Sequence, residues 1–166
     1  MTGPRRLSHA ISDGDGISLI VSVRGPDDAR RAEAGGAGAL LAEGEVDAEA
    51  IRAVSGLPIL TAGAGGDARI VRPGDDDVEL GDGVELVVEV AREEELEEAL
   101  ERLDPELFVL AAGDVDPEER LERLLDLLAD VPAGKLAIAD LREATQAEID
   151  ELERAGVDAV LVRGAT

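Results

Sequence analysis

The sequence has no cysteine, no tryptophan and no tyrosine, and its one phenylalanine is Phe108. Without cysteine there is no disulfide, no thiol nucleophile and no thiolate metal site, which fits a reducing compartment. With almost no aromatics, the core must be packed from Leu, Val, Ile and Ala. There is one histidine, His9, in the N-terminal lead-in, where an ordinary surface or packing role is expected, and no Ser/His/Asp set can be assembled. There is one lysine, Lys135, against 15 arginines, a bias that reads as genome composition or adaptation to salt rather than as a site. No apolar run approaches the roughly 20 residues that span a bilayer. The opening MTGPRRLSHAISDGDG lacks the apolar stretch of a signal peptide, so a cytoplasmic location is expected. The formal net charge of -23 repels nucleic acid and anionic membrane, so neither is an expected partner.

What is present is a repeated alternation. Residues 84–90 (VELVVEV) form an apolar, β-branched run broken by Glu85 and Glu89, a strand buried on most of its surface. A helix follows at once. Glu93, Glu94 and Glu95 put negative charge in its first turn, where the macrodipole favours it. Leu96, Ala99, Leu100 and Leu103 fall at i, i+3, i+4 and i+7 on one apolar face.

The same unit recurs along the chain. Residues 1–16 are a loose or short helical lead-in, and residues 17–23 (ISLIVSV) are the first strand. Gly25-Pro26-Asp27 opens a helix with Ala29, Ala32 and Ala34 turned inward, and Gly35-Gly36 stops it. Residues 39–42 are the second strand. Asp47 caps a helix bearing Ile51 and Val54, Gly56 ends it, and residues 58–61 (PILT) are the third strand. Residues 62–83 show no helical period, only a short fourth strand at 69–71. After the fifth strand and its helix, residues 107–111 are the sixth. Asp116-Pro117-Glu118-Glu119 is a helix start with a cap, proline at N1 and acid in the first turn; Leu121, Leu124, Leu125 and Leu128 make its buried face. Residues 136–139 are the seventh strand. Thr145 and Glu148 form a capping box for a helix that Gly156 ends, and residues 159–162 are the eighth strand.

Eight strands with intervening helices and right-handed crossovers predict a reduced (β/α)8 TIM barrel, residues 17–166, with helices missing around strand 4 and after strand 8. At 166 residues each unit has about 21, against roughly 31 in a barrel of about 250. An open doubly wound sheet is the alternative. In a barrel, Lys135 precedes strand 7 and belongs to the face opposite the active site.

Several segments, in order, resemble one family. SLIVSVRGPDD (18–28) resembles the SLIAEIKRxSPS signature of indole-3-glycerol phosphate synthases, a tryptophan-biosynthesis family. GLPIL (56–60) stands where that family often has SLPVLRKDF. VVEVAREEELEEAL (87–100) is similar to its VEVHDEEELERAL, and IADLREATQAEIDELERAGVDAVLVRGAT (138–166) to its ending VSESGIRTPEDVARLREAGVDAVLVGEAL. The resemblance implies closure of a carboxyphenylamino-deoxyribulose phosphate onto its ring with loss of water and carbon dioxide. That needs an acid, a base and a nest of N–H groups for phosphate.

Carried across, little of that machinery remains. The family's first-strand Glu and Lys fall on Ser22 and Arg24, and its strand 3 lysine on Ala62. Its strand 6 asparagine falls on Ala111 or Ala112, with Asp114 surviving nearby. Glu89 matches the strand 5 acid. Asp140 shortens the strand 7 glutamate, Leu141 replaces serine, and Arg142 replaces a phosphate-approaching glycine. Arg163-Gly164 stands where Gly-Glu is usual. The candidate carboxylates are therefore Glu89 and Asp140, and the candidate phosphate-binding residues are Arg24, Arg142, Arg163 and Gly164. Each has a plainer role as well: Glu89 paired with one of these arginines, and the arginines as salt bridges in an acidic rim. Asp13-Gly-Asp-Gly and the run Asp75 to Asp77 lack the spaced ligands of a calcium loop. Ala62-Gly-Ala-Gly-Gly opens no helix, so it is no dinucleotide loop. No metal and no cofactor are expected.

Three functions follow. One is a synthase relative with little or no synthase activity. Another is a noncatalytic binding or assembly subunit whose bare strands a second copy or another protein covers. The third is an enzyme acting on another sugar phosphate.

Overall fold

The computed structural model describes residues 7–12, 17–42, 47–62, 66–72, 84–112, 115–141 and 145–162. In chain order these hold α1 (Leu7–Ser12), β1 (Ser18–Val23), α2 (Pro26–Ala34), β2 (Ala39–Ala42), α3 (Ala48–Arg52), β3 (Ile59–Thr61) and β4 (Ala68–Val71). Then come β5 (Glu85–Val90), α4 (Glu93–Arg102), β6 (Leu107–Leu110), α5 (Pro117–Asp130), β7 (Leu136–Asp140), α6 (Gln146–Ala155) and β8 (Ala159–Val162). All eight strands pair in parallel, each with the next, and β8 returns to β1, closing a barrel. The open sheet is excluded. No helix is described between β3 and β4, or between β4 and β5.

Following paired residues once around the barrel returns to β1 about eight residues lower, the stagger of a (β/α)8 barrel. At constant height the register therefore advances one residue per strand, so alternate strands fill alternate layers. From the strand starts upward, the interior holds Ala39, Ala68, Leu107 and Ala159, then Ile20, Leu60, Val87 and Ile138, then Leu41, Ile70, Val109 and Leu161. These twelve belong to or pack on one apolar cluster, which Leu7 and Ile11 of α1 join. The lead-in helix thus plugs the end where the strands begin. Each fully buried Leu, Ile or Val contributes about 1.5–3 kcal/mol, so the layers outweigh any single surface ion pair at about 0–1 kcal/mol.

Outward-facing strand residues pack under the helices. Val88, Val90, Phe108 and Leu110 meet Leu96, Leu124 and Leu152, and Val23, Leu40 and Ile59 meet Ala29 and Ile51. Asp47 caps α3 by accepting from the amides of Glu49 and Ala50, and Thr145 and Glu148 form the expected capping box. Three details depart from the sequence pattern. Ala34 is exposed at the end of α2. Leu103 lies just past α4 and is 43% exposed. Asp116 precedes α5 without a side-chain cap hydrogen bond, leaving Pro117 and the first-turn acids to set that start.

Leu103 is also the only large hydrophobic side chain exposed among the described residues. The bare strand faces expected beside the missing helices are not seen there. Between β3 and β4, where no helix is described, Gly66 lies so close to β3 that a Cβ would sit 2.8 Å from the Ile59 carbonyl oxygen. Only glycine permits that approach. The next residue, Asp67, has a side chain 3% exposed, bridged to Arg52 Nη2 at 3.1 Å. Lys135, as expected, lies at the opposite end from the mouth, 2.7 Å from Asp104 Oδ1. Among the described residues no helix is long and apolar enough to cross a membrane.

Candidate functional site

The strand ends form a mouth whose floor is the uppermost apolar layer, Leu41, Ile70, Val109 and Leu161. The register places four side chains at one height above it: Ser22, Ala62, Glu89 and Asp140, from the odd-numbered strands. Strand period dictates this arrangement. Glu89 shares parity with the interior residue Val87, and Asp140 with Ile138. The two carboxylates therefore belong to the barrel lumen and not to the helix layer. Asp140 is 8% exposed, and the Glu89 side chain is 15% exposed.

Glu89 is ion-paired, though not with the arginines expected from sequence. Its Oε2 accepts from Arg72 Nε at 3.0 Å. The register explains the choice: Val71 pairs with Val88, so the next residue of β4, Arg72, stands beside Glu89. The Arg72 side chain is 75% exposed, so this cation is at the rim while its partner is in the lumen. Arg24 follows β1, is exposed, and donates its amide to Asp28 Oδ2 at 3.0 Å. Ala62 is exposed above β3, Ala111 is half-buried and Ala112 buried above β6. None of the three offers a proton-moving group. Leu141 is buried, and its amide donates to the Leu161 carbonyl at 2.9 Å, tying the ends of β7 and β8 together.

Arg142, Arg163, Gly164, Asp114, the Asp13 to Gly16 turn and the Asp75 to Asp77 run lie outside the described residues, as does the side chain of His9. Among the described residues no group of His, Cys, Asp and Glu is arranged to hold a metal ion.

Arg72 was missed because the apolar run of β4 ends one residue before it, yet the sequence carries a signal. Residues 65–72 read GGDARIVR and residues 156–163 read GVDAVLVR, the same pattern leading into β4 and β8. The structure repeats it. Asp67 donates its amide to the Ile59 carbonyl, accepts from the Ile59 amide through Oδ2, and offers its carbonyl to Glu85. Asp158 does the same with Ala137 and Ser18. Arg72 is thus the counterpart of Arg163.

No family model matches the chain, and no curated protein matches its sequence. Solved structures do match its shape. The N-acetylmannosamine-6-phosphate 2-epimerase from Clostridium perfringens superposes with a TM-score of 0.70 at 18% identity, over 99% of this chain and 93% of the epimerase. A phosphoenolpyruvate phosphomutase from Streptomyces platensis subsp. rosaceus superposes with a TM-score of 0.65 at 13% identity, over 93% of this chain and 78% of the mutase. At such identities the likeness is one of fold: a TIM barrel, with the synthase family itself not shown.

Proposed function

We propose that this barrel binds a phosphorylated sugar at its mouth and works on it by acid–base chemistry, with Glu89 and Asp140 as the carboxylates. The observation that carries the reading is the layer of Ser22, Ala62, Glu89 and Asp140 above an apolar floor. It sets two proton-accepting groups where barrel active sites lie. Both structural neighbours are named for phosphorylated substrates, which supports a phosphate-bearing ligand. Arg24, Arg142, Arg163 and Gly164 are the proposed phosphate grip, since guanidinium binds phosphate oxygens bidentately. A carboxylate in this layer takes the proton α to the sugar carbonyl and returns one to the same carbon, leaving the phosphate untouched.

The synthase reaction is the weaker assignment. Its two lysine positions hold Arg24 and Ala62, and each lost proton-transfer group costs about 10² to 10⁴ in rate. The guanidinium of Arg24 suits holding an anion and does not replace a general acid. A second copy covering bare strands also loses support, because the only exposed large hydrophobic side chain described is Leu103.

The test is proton NMR in deuterium oxide with N-acetylmannosamine 6-phosphate and ribulose 5-phosphate. Loss of the signal from the hydrogen α to the carbonyl is expected with the wild type. Glu89→Gln or Asp140→Asn should slow it about 10² to 10⁴-fold. Exchange unaffected by both substitutions would overturn the assignment. Turnover of the carboxyphenylamino-deoxyribulose phosphate at ordinary enzyme rates would restore the synthase.

A further inference from the structure

We infer that Arg72 is an anion-binding residue of the mouth, for whose guanidinium Glu89 and the ligand's phosphate compete. The inference rests on the sugar-phosphate reading above and adds to it a phosphate contact from the β4 side of the mouth, with Glu89 as its competitor.

Three observations carry it. The first is the repeat. Residues 65–72 and 156–163 share a sequence pattern, and Asp67 and Asp158 make the same three hydrogen bonds to their neighbouring strands. An arginine closes both segments in the sequence, Arg72 after β4 and Arg163 after β8. The second is the pairing. Arg72 Nε reaches Glu89 Oε2 at 3.0 Å from a side chain that is mostly in water. A pair with one partner so solvated is weak, whereas a phosphate dianion offers a guanidinium more charge and a bidentate fit. The third is size. The layer beside Glu89 is completed on the β1 and β3 side by Ser22 and Ala62, both short side chains.

The consequence is a competition. Glu89 and the ligand's phosphate contend for one guanidinium, whose Nε lies 3.0 Å from Glu89 Oε2.

Competition gives a result that a structural salt bridge would not. Inorganic phosphate and ribulose 5-phosphate are titrated calorimetrically into the wild type, Arg72→Gln, Glu89→Gln and the double variant. Thermal melts confirm that all four fold, as the exposure of Arg72 leads one to expect. Arg72→Gln should weaken binding about tenfold or more. Glu89→Gln should tighten it several-fold by releasing the arginine, and the double variant should bind no better than Arg72→Gln. If Glu89→Gln tightens binding equally in the absence of Arg72, the gain is only the removal of one charge from an acidic chain, and the inference fails. If the wild type binds and neither single substitution changes affinity, the inference fails while the sugar-phosphate reading stands. If none of the four binds either ligand, that reading falls and takes the inference with it.

Discussion

The two halves of this barrel share a frame and differ in what covers it. From β5 to β8, three helices of 10, 14 and 10 residues lie over the strands. From β1 to β4 two are described, of 9 and 5 residues, and none between β3 and β4. Yet the hydrogen bonds that set strand against strand are the same around Asp67 and Asp158. The pairing of strands does not require the helix; the covering of them does. In the better-clad half, Val157 precedes Asp158 and packs into the outer core below α6. At the same place in the sparser half stands Gly66, whose missing side chain lets the backbone lie against β3. A buried ion pair, Arg52 to Asp67, tethers α3 to the start of β4. Both candidate carboxylates come from the better-clad half, and the matching positions of the other half, Ser22 and Ala62, are short.

This difference makes the two aspartates unequal, and removing each in turn is the sharpest way to break the comparison. Asp67→Ala takes away the acceptor of the Ile59 amide and the carboxylate that pairs with Arg52 in a partly buried site. Breaking one side of a buried pair costs about 3–5 kcal/mol, and the partial exposure of Arg52 puts the loss near the lower end. Asp158→Ala removes the charged acceptor of the Ala137 amide, a carboxylate with no ion pair among the described residues, and so a bond worth about 1.5–3 kcal/mol. Urea unfolding should order them in that way. Equal losses would show that the tether does not stand in for the missing helix.

A second substitution acts on the same corner with a smaller effect. Gly66→Ala sets a methyl group 2.8 Å from both the Ile59 carbonyl oxygen and Thr61 Cγ2. Overpacking of that kind costs about 1–3 kcal/mol, since β3 has only three residues over which to absorb the shift. A midpoint in urea unchanged from wild type would mean that β3 and β4 are loosely joined, and that Asp67 alone holds them.

How far the sequence revealed this architecture depended on the range of the interaction involved. Strands show as short apolar runs, and each of the eight was found where expected because a β-branched run between turn residues has few other uses in a chain of this kind. The lumenal direction of Glu89 and Asp140 followed from the same pattern, since parity along a strand is local. What depended on contacts between strands was hidden. Arg72 meets Glu89 only because Val71 pairs with Val88, and no pattern within either strand shows that register. Asp67 looked like one more acid in a glycine-rich turn, although comparing residues 65–72 with 156–163 would have marked it. The cap expected at Asp116 failed for the opposite reason: a local rule was satisfied in sequence, but in the fold the side chain does not fold back onto the helix.

The smallest expected effect lies where acid crowds the outer layer. Glu93 opens α4, where the macrodipole favours an anion, but Asp130 at the end of α5 outweighs it. A hydrogen bond that the protonated Glu93 carboxyl donates to Asp130, together with the charge of Asp130, raises Glu93 above its ordinary pKa, with slight burial and then Glu97 and Asp126 adding in the same direction. Folded protein thus holds this proton more tightly than unfolded protein. The contribution is fully present below the ordinary carboxylate range and is lost as pH rises through the folded-state value. Glu93→Gln should leave stability nearly unchanged in acid, raise it slightly near neutrality, and flatten the fall between the two. Added salt should narrow the gap between variant and wild type, because the repulsion is exposed to solvent and screened. Urea midpoints across that pH range, at low and high salt, measure both effects. A variant that loses stability near neutrality would instead mean that the helix dipole outweighs the neighbouring acids at this position.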